Sequence, residues 1–251
     1  MFGLTFLSAT SKTTTHRVVP FRIETTKLPS VAGYVAGGAD SARLSGIDKV
    51  AFPADNKSTL TATLTTARQY SAGFANSGVA GYVAGGVDSG NISGIDKVSF
   101  PADTKTTLSA TLTTARRYPA GFANSSVAGY VAGGFDSANI SQIDKVSFSA
   151  DTKTTLSATL TTVRQLVAGF ANSGVAGYVA GGISSSYISG IDKVSFPADT
   201  KTTLSATLTT ARVYVAGFAN SGVAGYVAGG YDGSFLSGID KVTFPADTKP
   251  H

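Results

Sequence analysis

Very few side chains in this sequence could carry out acid–base, nucleophilic or metal chemistry. The 251 residues include no cysteine and only two histidines, His16 and His251, and the one glutamate is Glu24. Thiolate nucleophiles, disulfides and cysteine-ligated metals are therefore excluded. A histidine-based catalytic triad would need residues from opposite ends of the chain. We expect a protein that is not an enzyme and that has no cofactor and no metal site.

The remaining charged residues recur at fixed places. An Asp-Lys pair begins at Asp48, Asp96, Asp144, Asp192 and Asp240, and single arginines stand at Arg68, Arg116, Arg164 and Arg212. Neighbouring residues of a strand point to opposite faces, so the two members of a pair do not bond each other. We expect the pairs to make hydrogen bonds between structural units or to keep the protein soluble, in preference to binding a ligand. The arginines could bind an anion as a ring, but we favour bonds to carbonyl groups of an adjacent unit.

These recurrences belong to a repeat of 48 residues without insertions or deletions. The segment Gly-Tyr-Val-Ala-Gly-Gly begins at Gly33, Gly81, Gly129, Gly177 and Gly225. Within one copy, alternating apolar residues and turn formers predict strands over 116–123, 127–132, 143–148 and 155–160. No helical period is present. The sequence predicts an all-β fold in which 1–251 form a single domain.

The two ends of the chain favour a closed β-propeller over an open solenoid. The chain ends after a third strand, and Phe6-Leu-Ser-Ala-Thr10 is similar to Thr107-Leu-Ser-Ala-Thr111 of a fourth strand. We expect a five-bladed β-propeller of four-stranded blades, closed by pairing of the N-terminal strand with the C-terminal blade. Residues 1–16 would supply this closing strand and a linker. The first blade should be irregular, with a bulge over 24–29.

The repeat resembles the kelch repeat, which forms one propeller blade. The resemblance is carried by Ile95-Asp-Lys-Val-Ser-Phe100, by Arg116 and by Gly129-Tyr-Val-Ala-Gly-Gly134. It spans about residues 31–251, with leucines near the place of the kelch tryptophan. The regular copies are similar to repeats of phage and cyanobacterial kelch-like proteins. This resemblance implies a propeller and a virion-surface, tail or extracellular setting, but propellers host many functions.

Charge and hydropathy argue against two kinds of partner. The net charge is +5, and much of the basic excess lies before residue 32. No basic stripe with interleaved aromatic residues follows, so we expect no nucleic-acid partner. No apolar run approaches the roughly 18 residues that span a bilayer, so we expect no membrane insertion. The apolar start at 1–7 is too short for a good signal peptide.

Comparison of the copies with one another separates two faces. Most positions are identical, but the second-to-third strand loop and the entry to each first strand vary. In an up-and-down blade these two connections emerge on one face, which we call the variable face; the opposite, invariant face carries Ala-Asn-Ser and Ala-Asp-Thr turns. The candidate ligand-binding residues are variable-face residues of types common in recognition surfaces: Arg43, Arg117, Phe135, Asn139, Tyr187, Tyr231 and Phe235.

Two functions fit this pattern. The first is a binding module that recognises a surface glycan or a partner protein through the variable face, because drift in exposed loops should diversify both faces alike. The second is a structural or assembly protein that decorates a larger particle through the invariant face or the N-terminal segment. The propeller would accordingly be monomeric or part of a larger assembly.

Overall fold

The protein is an all-β, five-bladed β-propeller. The computed structural model describes residues 32–100 and 102–249, which form five antiparallel sheets. The first and last sheets have three strands each within these residues: β1 (Ala32–Ala36), β2 (Ile47–Ala51) and β3 (Asn56–Thr59), then β16 (Ala216–Asn220), β17 (Ala224–Ala228) and β18 (Ile239–Thr243).

The three central sheets have four strands each, in chain order. The second contains β4 (Ala72–Asn76), β5 (Ala80–Ala84), β6 (Ile95–Ser99) and β7 (Thr104–Thr107). The third contains β8 (Ala120–Asn124), β9 (Ala128–Ala132), β10 (Ile143–Ser147) and β11 (Lys153–Thr155). The fourth contains β12 (Ala168–Asn172), β13 (Ala176–Ala180), β14 (Ile191–Ser195) and β15 (Thr200–Thr203). The described residues contain no helix able to cross a membrane.

The predicted bounds of the first and fourth strands of each blade were wrong by several residues. The first strand of the third blade begins at Ala120 and not at Arg116, and the fourth is Lys153–Thr155 and not 155–160. The predicted turn at 150–153 is shorter because Asp151 takes a left-handed φ of 52°, which returns the chain at once to pair with β10. The leucine-rich segment that follows is a connection, in which the backbone nitrogen of Leu156 donates to the carbonyl oxygen of Ile143.

Glycine and alanine in the first strands allow adjacent blades to pack closely. A Cβ added at Gly217 would lie 2.6 Å from the carbonyl oxygen of Gly169, a separation that real Cβ atoms do not reach. The first strands β4, β8, β12 and β16 follow one another in contact. These strands therefore pack side by side at the crowded centre of the propeller, as expected for its axis.

Each blade presents one apolar face, its leading face, to the next blade. In the second blade this face includes Phe74, Tyr82 and Ile95, which pack with Val131 and Phe148 of the third. The Tyr82 and Phe148 rings stack with centroids 5.2 Å apart. The core of the propeller is thus a series of aromatic and aliphatic layers between successive sheets.

The leading face of the fifth blade differs from the others. Phe218 is 50% exposed and Ile239 is 63% exposed, whereas the equivalent Phe170 and Ile191 are buried. The predicted closing strand at Phe6–Thr10 and the predicted bulge at 24–29 lie outside the described residues.

Candidate functional site

The turns of the invariant face are linked from blade to blade. The backbone nitrogen of Ser126 donates to Asn76 Oδ1 at 3.1 Å, and that of Gly174 donates to Asn124 Oδ1 at 3.0 Å. Gly222 repeats the contact with Asn172 at 2.8 Å. The Asn of the Ala-Asn-Ser turn in the second, third and fourth blades therefore accepts a bond from the corresponding turn of the next blade.

A second set of interblade bonds centres on the Asp of the Ala-Asp-Thr turn. Asp103 accepts a hydrogen bond from the Tyr34 hydroxyl at 2.7 Å and one from Lys49 Nζ, also at 2.7 Å, both from the preceding blade. The same arrangement recurs at Asp151, Asp199 and Asp247. We call this arrangement the Tyr-Lys-Asp clamp. It confirms, for the lysines of the first four Asp-Lys pairs, the expected hydrogen bond to an adjacent blade.

The aspartate of each Asp-Lys pair has a different partner. Asp144 is fully buried and lies 2.6 Å from Arg116 Nη2, and its other oxygen accepts a bond from Thr113 Oγ1 at 2.8 Å. Both partners come from the connection between the second and third blades. Arg116 Nη2 also donates to the carbonyl oxygen of Val131 at 3.3 Å. The arginines are therefore structural, as favoured, and are not exposed to an external anion.

These contacts give the invariant face a structural reason to be uniform. A change of Asn124 or Asp151 in one blade would remove a bond to its neighbour, so the copies cannot diverge freely there. The argument that drift should affect both faces alike was therefore wrong. The case for a recognition surface depends on what the variable-face residues themselves form.

The structure brings the two variable connections together, as predicted. In the second blade, Gln69, Val87 and Asn91 form successive single β-bridges beyond the ends of the strands. The equivalent bridges join Arg117, Phe135 and Asn139 in the third blade, and Val213, Tyr231 and Phe235 in the fifth. The variable residues thus lie on a short extension of the sheet, formed by these single bridges beyond the strand ends.

One group of candidates lies across the second and third blades. The Arg117 guanidinium lies 4.9 Å from the centroid of the Phe135 ring, a cation–π contact, and its Nη1 is 3.4 Å from Asn91 Oδ1. The Asn91 amide nitrogen also donates to Asp136 Oδ1 at 3.0 Å. Arg117, Phe135 and Asn91 therefore form one continuous polar–aromatic cluster. Asn91 was not among the candidates predicted from the sequence.

A second group lies across the fourth and fifth blades. The Tyr187 and Tyr231 rings meet edge to face with centroids 6.4 Å apart, and Tyr231 contacts Phe235 at 5.4 Å. Phe235 is 91% exposed, the most exposed large apolar side chain of the described residues. This aromatic cluster has the exposed area and ring faces that a stacking or apolar contact needs.

The other two candidates belong to neither cluster. Arg43 lies 3.7 Å from Asp88 on the surface between the first and second blades. The Asn139 side-chain oxygen is buried without a hydrogen-bond partner. Asn139 is equivalent to Asn91, but the fourth blade has Ser184 where the third has Asp136, the partner of Asn91. The variable face is thus not one uniform surface but contains two clusters separated by Asn139.

Reasoning from sequence variation missed a third set of side chains on this face. Tyr70, Tyr118 and Tyr214 immediately follow the variable Gln69, Arg117 and Val213, but they resemble one another and so carried no signal of diversification. Their exposure could have been inferred from their place between two variable positions.

Within residues 32–100 and 102–249, no group of three or more His, Asp or Glu side chains is placed to hold a metal ion. The variable face offers ring faces, phenol hydroxyls, amides and a guanidinium, which bind through stacking and hydrogen bonding. No protein-family model and no curated protein matches the chain.

Proposed function

We propose that the protein is a non-catalytic binding module that recognises a surface glycan through its variable face. The observation that carries this proposal is the aromatic cluster of Tyr187, Tyr231 and Phe235, in which Phe235 is almost fully exposed. Aromatic rings offer flat apolar surfaces that the C–H faces of sugars can cover. The separate polar–aromatic cluster on the second and third blades adds the amide of Asn91 and the guanidinium of Arg117, which can bond to sugar hydroxyls.

The fold supports this use because it holds the variable side chains on a rigid frame. The Tyr-Lys-Asp clamp ties successive blades from the first to the fifth, and turn-to-turn bonds tie those from the second to the fifth. Buried Arg–Asp pairs hold the connections between blades. Little ordering free energy is then lost when a ligand binds. A partner protein is the second class of ligand for the same face. From the resemblance of the repeat to phage repeats, we propose a virion surface or tail as the setting of this module.

One observation favours the alternative of a structural protein that assembles through the invariant face. Val79, Val127, Val175 and Val223 recur on that face and are each between 43% and 52% exposed. Repeated exposed valines could pack against a particle.

The test compares matched variants of the two faces. We expect Tyr187→Ala and Tyr231→Ala to reduce binding on a glycan array and to host cells, while Val175→Ala on the opposite face leaves binding unchanged. Unchanged binding by both tyrosine variants would contradict the role of these residues. A protein that binds no glycan and no cell, yet copurifies stoichiometrically with a particle and loses this with Val175→Asp, would favour assembly.

A further inference from the structure

Four equivalent residues immediately before the first strands share an unusual backbone conformation. Tyr70, Tyr118, Leu166 and Tyr214 have φ values of 59°, 60°, 58° and 54°. Bulky side chains rarely adopt this left-handed region, and such strain is concentrated at functional positions. The repeat imposes the conformation in every described copy, so the side chains are held in equivalent directions.

Tyr70, Tyr118 and Leu166 are joined by backbone hydrogen bonds across the blades beside the first strands. The backbone nitrogen of Tyr118 donates to the carbonyl oxygen of Tyr70 at 2.9 Å, and that of Leu166 donates to Tyr118 at 3.1 Å. Because β4, β8, β12 and β16 pack side by side at the centre of the propeller, this chain of bonds lies at the central end of the variable face.

The phenol rings form an exposed cluster there. The Tyr70 and Tyr118 rings lie 4.3 Å apart between centroids, and Tyr70 and Tyr214 are 45% and 64% exposed. Burial raises the pKa of Tyr118, and the nearby phenols of Tyr70 and Tyr214 raise it further. The Tyr70 and Tyr118 rings are therefore direct neighbours, and Tyr214 holds the equivalent position before the first strand of the fifth blade.

The cluster is continuous with the polar–aromatic cluster of the variable face. The Arg117 guanidinium lies 5.6 Å from the centroid of the Tyr118 ring and 4.9 Å from that of Phe135. Further out, the loops after the Gly pairs carry the carboxylates of Asp40, Asp88, Asp136 and Asp232. Arg43 offsets the charge of Asp88, which leaves the other three carboxylates without a basic partner among the described residues. These three disfavour a polyanionic ligand and can accept hydrogen bonds from hydroxyl groups.

We propose that Tyr70, Tyr118 and Tyr214 form a central subsite that stacks against a ring of a neutral oligosaccharide. This inference rests on the proposed function of the variable face and specifies its ligand class. The phenol rings supply flat apolar faces and their hydroxyls supply donors and acceptors, while the aspartate rim selects an uncharged sugar. The Tyr187, Tyr231 and Phe235 cluster then contacts the outer part of the same ligand.

The experiment uses an array of neutral, sialylated and sulfated oligosaccharides with the full chain and three variants. Tyr214→Ala should weaken binding to neutral oligosaccharides by about tenfold or more, because it removes an exposed aromatic contact. Leu166→Tyr should strengthen it by about two- to tenfold, because it adds a fourth ring in a conformation that tyrosine already adopts at the equivalent sites. Thermal unfolding checks that each variant is folded.

The outcomes separate this inference from the proposed function. Neutral oligosaccharide binding that weakens with Tyr187→Ala but is unchanged by Tyr214→Ala and Leu166→Tyr would overturn the central subsite and leave the proposed function standing. Binding confined to sialylated or sulfated oligosaccharides would overturn the neutral ligand class. Binding of no oligosaccharide at all would overturn both the central subsite and glycan recognition, and capture of a protein through the variable face would then favour the partner-protein alternative.

Discussion

At the scale of single residues, the buried ion pairs carry the largest expected effects on stability. Arg116 and Asp144 have fully buried side chains 2.6 Å apart, whereas Arg43 and Asp88 lie 3.7 Å apart on the surface. Asp144→Asn leaves the arginine charge buried without its counterion, which should cost about 3–5 kcal/mol. Asp88→Asn removes only a surface pair and should cost under about 1 kcal/mol. Equal urea midpoints for the two variants would contradict this reading.

The same buried carboxylates should make the protein sensitive to acid. Burial alone would raise the pKa of Asp96 and Asp192, but hydrogen bonds from threonines and the charges of Arg68 and Arg164 outweigh it, so both pKa values lie below the usual range. A folded-state pKa below the unfolded value stabilises the fold above the unfolded pKa and loses that effect as pH falls through the folded pKa.

We therefore expect the melting temperature to fall as the pH drops below about 4, the usual carboxyl pKa. Circular dichroism melts at a series of pH values measure this. Asp88→Asn should follow the wild-type curve, since its carboxylate lies on the surface. A melting temperature that stays constant down to about pH 2 would show that the buried aspartates do not control acid stability.

At the scale of the elements, the first strands need glycine wherever another first strand packs against them. A Cβ added at Gly121 would collide with the carbonyl oxygen of Gly73, whereas one added at Gly90, in an exposed loop, meets no described atom within 4 Å. Gly121→Ala should therefore destabilise the protein by about 1–3 kcal/mol. The matched Gly90→Ala should be neutral or slightly stabilising, because the equivalent positions are Ala42 and Ala138 and alanine restricts the unfolded chain. Chemical denaturation measures both, and equal losses would show that packing between first strands does not select glycine.

At the scale of the whole molecule, the repeat specifies how the first and fifth blades should meet. Asp55 is equivalent to the clamped Asp103, and Tyr226 and Lys241 are equivalent to Tyr34 and Lys49. Within the described residues these three side chains form no such clamp, and the leading face of the fifth blade is exposed. We predict that ring closure brings Asp55 between Tyr226 and Lys241. Residues 6–10 are similar to 107–111, which begin at the last residue of the fourth strand of the second blade, so we expect the N-terminal segment to pair along the outer edge of the last blade and to continue it as that connection does.

Closure of this kind has measurable consequences. Deleting residues 1–10 should lower the melting temperature by several degrees and promote dimers through the freed strand edge, because unpaired edges associate. Asp55→Ala should lower the melting temperature to the same degree as Asp103→Ala. A truncated protein that remains monomeric with unchanged melting would refute the closing strand. A harmless Asp55→Ala beside a damaging Asp103→Ala would refute the first-to-fifth clamp.

The sequence alone determined the all-β class, the number of blades and the interblade role of the Asp-Lys pairs. It could do so because a repeat without insertions must repeat its structure, and because strand alternation sends neighbouring side chains to opposite faces. The predicted bounds of the fourth strand were wrong because Asp151, with a left-handed φ, makes the preceding turn shorter than expected. Only the tertiary structure decided which aspartate each lysine meets, since Lys49 and Asp103 are 54 residues apart in the chain. The tertiary structure also revealed the contacts between blades that explain the uniform face. It placed the tyrosines of the other face near the axis, because their position depends on how successive sheets pack.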